Sequence, residues 1–313
     1  MFQGSKAIRD PNTIALISNI LQSSELSAVM HTDFLRKFEL TFSDWLLAHS
    51  TNKIHGLEKF VPNFSTGTTQ GFDSFYLRHR TKHFRCFVGE YFYHLKTWQA
   101  NTIEWDFITN DRPIQEGDAV VISAPFCDTG SLHAQHRDLL AQCEELNIPV
   151  LIDCCYYPIS GNIELDLNYN CIDTICFSLS KAFPVATMRI GMRYTREDIF
   201  DGQSLHSSIN YNNNICAAIG LKVINTFSSD YIYNTYVDKQ KEVCSILPGL
   251  TASNCAIFAV GDQTWDQYSR ANLLKDYQLT FDPKLFTNRI CLNSIYENWD
   301  LWNKYKNEYT TNI

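Results

Sequence analysis

The chain has 313 residues, 45% of them hydrophobic and 19% charged, the composition of an ordinary globular protein long enough for a large core and more than one domain. Its net charge of −8 argues against non-specific nucleic-acid binding, and no apolar run approaches the ~20 residues needed to cross a bilayer. The start, Met1 to Lys6, has no apolar core of a secretory signal, and the eleven cysteines include no CxxC pair, so we expect a cytoplasmic protein with free thiols and no structural metal.

In chain order, the first feature is the turn Ser65-Thr66-Gly67-Thr68-Thr69-Gln70-Gly71, leading into a predicted helix over 72–80. A Gly/Thr-rich turn that opens a helix offers backbone N–H groups and hydroxyls to an anion, although the same composition serves as ordinary helix capping. Val120 to Pro125 reads as a buried strand, and the spacing of Leu132, Leu139, Leu140 and Leu146 predicts a helix over 131–146 with Ser131 near its N-cap. Pro149 to Asp153 and Thr174 to Ser178 are two further buried strands. Strand, helix and strand in continuous apolar runs indicate a mainly parallel sheet covered on both faces, with ligands beyond the carboxyl ends of its strands.

Those ends are polar. Asp153 closes Val-Leu-Ile-Asp, with Tyr156 three residues on, and Ser178-Leu179-Ser180-Lys181 closes the next strand. Arg189 follows Lys181 by eight residues and precedes Ile190-Gly191. Beyond about residue 195 the pattern changes to helices over 214–227 and 231–247. Short strands then occupy 256–260, 277–280 and 289–292, before an aromatic helix over 296–305. This reads as a smaller α+β domain, giving a division into 34–228 and 1–33 plus 229–313.

Ser-x-Ser-Lys with Arg-x-Gly eight residues on resembles the cofactor-lysine signature of the class I/II aminotransferases. Asp153-x-x-Tyr156 is similar to that family's second signature, and Thr66-Gly67-Thr68 to its phosphate turn. The likeness runs in order from about residue 60 to 195 and continues through Phe281-Asp282-Pro283-x-x-Phe286 to Arg289. It implies a fold-type-I α/β transferase that uses pyridoxal 5'-phosphate (PLP), with a mainly parallel central sheet flanked by helices.

On that resemblance, Lys181 would hold the cofactor as a Schiff base. Asp153 would pair with the ring nitrogen, and Tyr156 would donate to the ring's phenolate oxygen. Thr66, Gly67, Thr68, Ser178, Ser180 and Arg189 would take the phosphate, and Tyr91 would stack on the ring or serve as a core tyrosine. Arg289 would grip a substrate carboxylate, unless it is a surface strand arginine. That grip favours Cα–H cleavage and hence transamination between an amino acid and a 2-oxo acid. A β-lyase, racemase or cyclase of a specialised biosynthetic pathway is the alternative within the same constellation, and a catalytically silent binding protein the alternative outside it. The resemblance also implies a homodimer. One departure stands out: Phe126-Cys127-Asp128-Thr129-Gly130 replaces Asn-Pro-(Thr/Ser)-Gly, so Cys127 stands where an asparagine would bond the ring oxygen, and a thiol is a poorer donor.

Overall fold

The computed structural model describes residues 5–23, 33–197, 199–269 and 286–309. In chain order the helices are α1 (Pro11–Gln22), α2 (Phe34–Leu47), α3 (Thr68–Arg78), α4 (Phe92–Ala100), α5 (His136–Glu145), α6 (Gly202–Ser208), α7 (Asn214–Thr226), α8 (Tyr231–Ile246), α9 (Asn293–Tyr296) and α10 (Trp299–Tyr309). The strands are β1 (Lys53–His55), β2 (Val61–Ser65), β3 (His83–Cys86), β4 (Trp105–Phe107), β5 (Asp118–Ser123), β6 (Val150–Asp153), β7 (Glu164–Asp166), β8 (Ile172–Ser178), β9 (Gly191–Thr195), β10 (Leu250–Ala252), β11 (Phe258–Gly261) and β12 (Asn288–Cys291). Among the described residues, no helix is long and apolar enough to cross a membrane.

Seven strands form the central sheet in the order β2-β9-β8-β6-β5-β3-β4. Every pairing from β4 through to β8 is parallel, while β9 runs antiparallel to both β8 and β2. All residues of β5 and β6 are buried, as the uninterrupted apolar runs lead one to expect of strands covered on both faces. The expected mainly parallel α/β sheet is therefore present. A separate antiparallel sheet, β10-β11-β12, packs with α8.

Register carries the chemistry. Ser123 pairs with Asp153, Asp153 with Cys176, and both Ser178 and Ser65 with Gly191. The carboxyl ends of β2, β5, β6 and β8 thus finish on one edge. Gly191 allows this crowding, since a Cβ there would meet the Phe177 carbonyl at 2.7 Å and Gly67 backbone at 3.1 Å.

Three predicted elements are corrected. The helix expected over 131–146 begins only at His136, because the Ser131 hydroxyl accepts from the Asn254 N–H and its carbonyl from Phe126 N–H, which holds the preceding segment as a loop. The terminal helix divides into α9 and α10, and the 256–260 strand starts at Phe258 because Ala256 N–H goes to the Ile159 carbonyl. The strand expected over 277–280 and most of the Phe281–Phe286 motif lie outside the described residues.

Candidate active site

One cavity opens at the carboxyl edge of the sheet. Of the residues singled out in the sequence, Thr68, Tyr91, Cys127, Asp153, Tyr156, Ser178, Ser180, Lys181 and Arg189 all line it. Thr69, read in the sequence only as part of the turn, lines it too, as do Cys155 and Ala186, which no sequence signal marked.

On one side the turn before α3 faces Arg189. Gly67 has a φ of 73°, and a Cβ there would lie 2.3 Å from the Arg189 guanidinium, so only glycine lets the arginine lie across the turn. No side chain caps α3, and its first residues, Thr68 and Thr69, line this cavity. Arg189 Nη2 donates to Thr69 Oγ1 at 3.0 Å. The backbone of Arg189 is itself left-handed, with φ 56°, a conformation costing a non-glycine residue of order 1–3 kcal/mol and often found at functional sites. Thr66 is placed differently: its N–H and hydroxyl both go to Gln70 Oε1, at 2.8 and 3.0 Å, so its polar atoms serve the turn. Ser178 Oγ donates to Ser180 Oγ at 2.8 Å and accepts the Ser180 N–H at 3.0 Å, a local knot that ends β8.

Asp153 is buried, and its Oδ1 accepts the Cys155 N–H at 2.9 Å. Burial pushes its carboxyl up to about 7, opposed by that N–H and by the Lys181 charge. A second buried carboxyl lies nearby. Glu90 accepts from Ser123 N–H at 2.6 Å and Tyr91 N–H at 3.3 Å, contacts Ser123 Oγ, and is likewise pushed up to about 7 by burial. Since Ser123 pairs with Asp153, Glu90 ties the Tyr91 backbone to the neighbouring strand end. Glu90 was missed because an isolated acid before a tyrosine gives no pattern.

The far side is built around Tyr156 and Arg289. Tyr156 OH lies 3.9 Å from Cys127 Sγ and 2.7 Å from Ser5 Oγ, and burial holds its phenol well above the ordinary range. Arg289 is buried, not on the surface. It donates from Nη1 to the Cys127 carbonyl, lies 3.7 Å from Cys127 Sγ, and stacks its guanidinium 4.3 Å from the Phe258 ring centroid. Lys181 Nζ donates to the Ser5 carbonyl at 2.5 Å. Ser5 was invisible in the sequence, since it reaches the site across 176 positions.

A larger cavity, about 470 Å³, lies at the opposite edge, where β6 and β8 begin. Two of its charged residues are held in structural contacts: Asp173 pairs with Arg78 and His79, while Arg196 donates to three carbonyls, of Leu167, Tyr169 and Ile172. The strand-end cavity, where Lys181, Asp153 and Arg189 converge, is the candidate site.

No protein-family model matches the chain, and no curated protein matches its sequence. Solved structures do. An aminotransferase from Staphylococcus aureus superposes with a TM-score of 0.66 at 11% identity, covering 99% of this chain and 93% of that one. Tyrosine aminotransferase from Leishmania infantum gives 0.62 at 13%, with coverage of 95% and 90%. A PLP-bound C-S lyase from Staphylococcus hominis gives 0.66 at 13%, with coverage of 98% and 88%. The chain has the fold-type-I PLP-dependent transferase fold. In this fold-type-I chain the carboxyl edge of the sheet holds the convergent lysine, carboxylate and arginine.

The buried Asp153 gives a test free of any ligand. Its carboxyl titrates at about 7 in the folded chain against an ordinary 3.8, so between those values the folded state holds a proton that the unfolded state has lost. Stability on this account falls as pH rises from about 4 to about 7 and is constant above. Asp153→Asn removes the cost, and should stabilise the cofactor-free protein by about 2–4 kcal/mol at pH 8 and hardly at all at pH 4. Urea unfolding at the two pH values measures this, and equal effects at both would contradict it.

Proposed function

We propose that the chain is a PLP-dependent enzyme acting on an amino acid, and first of all an aminotransferase passing the amino group to a 2-oxo acid. The observation that carries this reading is the convergence of Lys181 and Asp153 on one cavity, with Arg189 on one side and Arg289 on the other. Solved structures of the same fold are described as aminotransferases, which supports it further.

The residues fit the cofactor. Asp153 sits buried with one N–H partner and a value raised to about 7, so a protonated ring nitrogen would supply the missing cation and keep it ionised. Arg189, Thr68, Thr69 and the uncapped start of α3 suit a phosphate, with Gly67 leaving room for the guanidinium and Ser178 and Ser180 bordering it. Tyr91 and Cys155, which line the cavity, would contact the ring. Tyr156 would donate to the ring oxygen, with Cys127 beside it in the asparagine's place. When bound, PLP supplies an aldehyde that takes an amine covalently and a ring that accepts the electron pair released at Cα.

The chain's own groups then do the rest. Lys181 Nζ anchors the cofactor and, once free, accepts and returns the Cα proton. Arg289, whose buried Nε has no hydrogen-bond partner among the described residues, would hold the substrate carboxylate and so align the Cα–H bond. Burial of both arginine and tyrosine excludes water from that side. A β-lyase reading is kept because the C-S lyase from Staphylococcus hominis fits as well as the aminotransferases. C-S lyase turnover yields a thiol, a 2-oxo acid and ammonia without an acceptor, whereas transamination needs a 2-oxo acid acceptor and releases no ammonia. We retain the division into 34–228 and 1–33 plus 229–313, and a reducing, cytoplasmic setting suits eleven unpaired cysteines.

Lys181→Ala should fold normally yet lose the visible cofactor band, and borohydride treatment should then leave no PLP on the protein. Mass mapping of the reduced wild type should find the label on the Lys181 peptide; a label on another lysine refutes the assignment. Arg289→Lys should raise KM for amino acids and lower kcat, together about 10–100-fold in kcat/KM, because a point charge cannot reproduce the forked grip. Simple amines should be unaffected, and cofactor affinity should not change. We also propose a homodimer: Phe200 and Tyr211 stand 85% and 79% exposed, apolar surface that a second copy would cover. Sedimentation should give about twice the chain mass of 36.1 kDa, and a fully active monomer would remove the idea.

A further inference from the structure

The segment before α1 is fastened at several points. The Lys6 carbonyl accepts from Asn293 Nδ2 at 2.5 Å, Ile8 is buried, and Arg9 N–H reaches Glu297 at 3.2 Å. Asp10 caps α1 through Thr13 N–H at 2.9 Å, while its two oxygens also accept from Tyr231 OH and Tyr236 OH at 3.2 and 3.1 Å. Together these contacts define where Ser5 stands.

Ser5 stands on the reactive amine. Its carbonyl lies 2.5 Å and its hydroxyl 3.3 Å from Lys181 Nζ, and the same hydroxyl lies 2.7 Å from Tyr156 OH. One residue therefore joins the amine and the phenol, which are otherwise related only by the 5.9 Å between Nζ and the Tyr156 ring centroid. We propose that Ser5 is a further catalytic-site residue: its carbonyl and hydroxyl receive the free Lys181 amine and hold it while it carries the Cα proton. This rests on the reading of Lys181 as the anchoring and proton-shuttling lysine.

The chemistry balances within the site. As the Cα–H bond breaks, its electron pair stays with the substrate carbon and the proton forms a third N–H bond on Nζ. The resulting ammonium has three donors and no acceptor of its own, and Ser5 supplies two oxygen acceptors within reach. A hydrogen bond from a charged donor is stronger than one from the neutral amine, so Ser5 stabilises the proton-carrying state more than the empty one. The Ser5 hydroxyl can donate to Tyr156 while accepting from Nζ, which keeps the phenol oriented during the transfer.

The test compares Ser5→Ala, which removes the hydroxyl, with Ser5→Thr, which keeps it. The first readout is Cα-proton exchange into D2O, using whichever of the protein amino acids the wild type exchanges fastest. Ser5→Ala should slow exchange about tenfold with KM little changed, Ser5→Thr should restore most of the rate, and all three proteins should bind PLP equally. The second readout needs no cofactor: acetic anhydride should label Lys181 several-fold faster in Ser5→Ala than in wild type or Ser5→Thr. Wild-type exchange in Ser5→Ala overturns the proposal, as does an equal loss in both variants accompanied by loss of PLP. If the wild type takes up no PLP at all, the functional reading fails. The labelling rates then decide the Ser5 contact alone, and equal rates would overturn it.

Discussion

The burial of Asp153 is the constraint on which the site depends. A carboxylate at the end of a strand buried on both faces has lost most of its hydration, and one N–H from Cys155 does not replace it. Burial therefore lifts it to about 7, and only a nearby cation can return it to the ionised form at neutral pH. Lys181 acts in that sense from the next strand end, and a protonated ring nitrogen would act more strongly at contact distance. Other charged groups on the seven-stranded sheet have ionic partners within the protein. Arg193 with Asp201 and Arg85 with Asp118 are two such pairs. Asp153, like Glu90, is left raised to about 7 by its burial, and on the proposed reading a bound cation would restore its charge, a case of stability traded for function.

How far this was legible depends on the range of the interactions. β5, β6 and β8 were readable because strands covered on both faces must be apolar throughout, and their polar ends then mark the ligand edge without further information. Gly67 and Arg189 were readable as types at a spacing, and the structure adds why both types are needed, since the guanidinium occupies the space of a Cβ. Ser131 misled because an N-cap residue is chosen by local rules, whereas its hydroxyl is claimed by Asn254, 123 positions away. Ser5 and Glu90 left no trace for the same reason. Each acts through partners brought together only by the tertiary fold, and neither sits in a periodic or repeated pattern.

The segment that departs most from the resemblance has a physical account. Lys181, Asp153 and Arg189 stand at strand ends of the seven-stranded sheet, but Arg289 is carried by β12 of the three-stranded sheet, so the two must be held in a common frame. The 126–130 turn does this from both of its departing residues. The Cys127 carbonyl takes Arg289 Nη1, and Asp128 Oδ2 accepts the Thr287 N–H at 2.7 Å while the Asp128 carbonyl takes the Thr287 hydroxyl at 2.7 Å. A proline at 128 would offer the same carbonyl but no side-chain acceptor for that N–H, leaving the entry to β12 less firmly placed. Cys127 in turn leaves Tyr156 with a soft sulfur at 3.9 Å where an amide would have formed a short bond, and the tyrosine finds its close partner in Ser5 instead. The replaced asparagine, the aspartate beside it and the serine far away in sequence thus form one compensating set. The turn ties Arg289 to the main sheet, and Ser5 supplies the close partner of the Tyr156 hydroxyl.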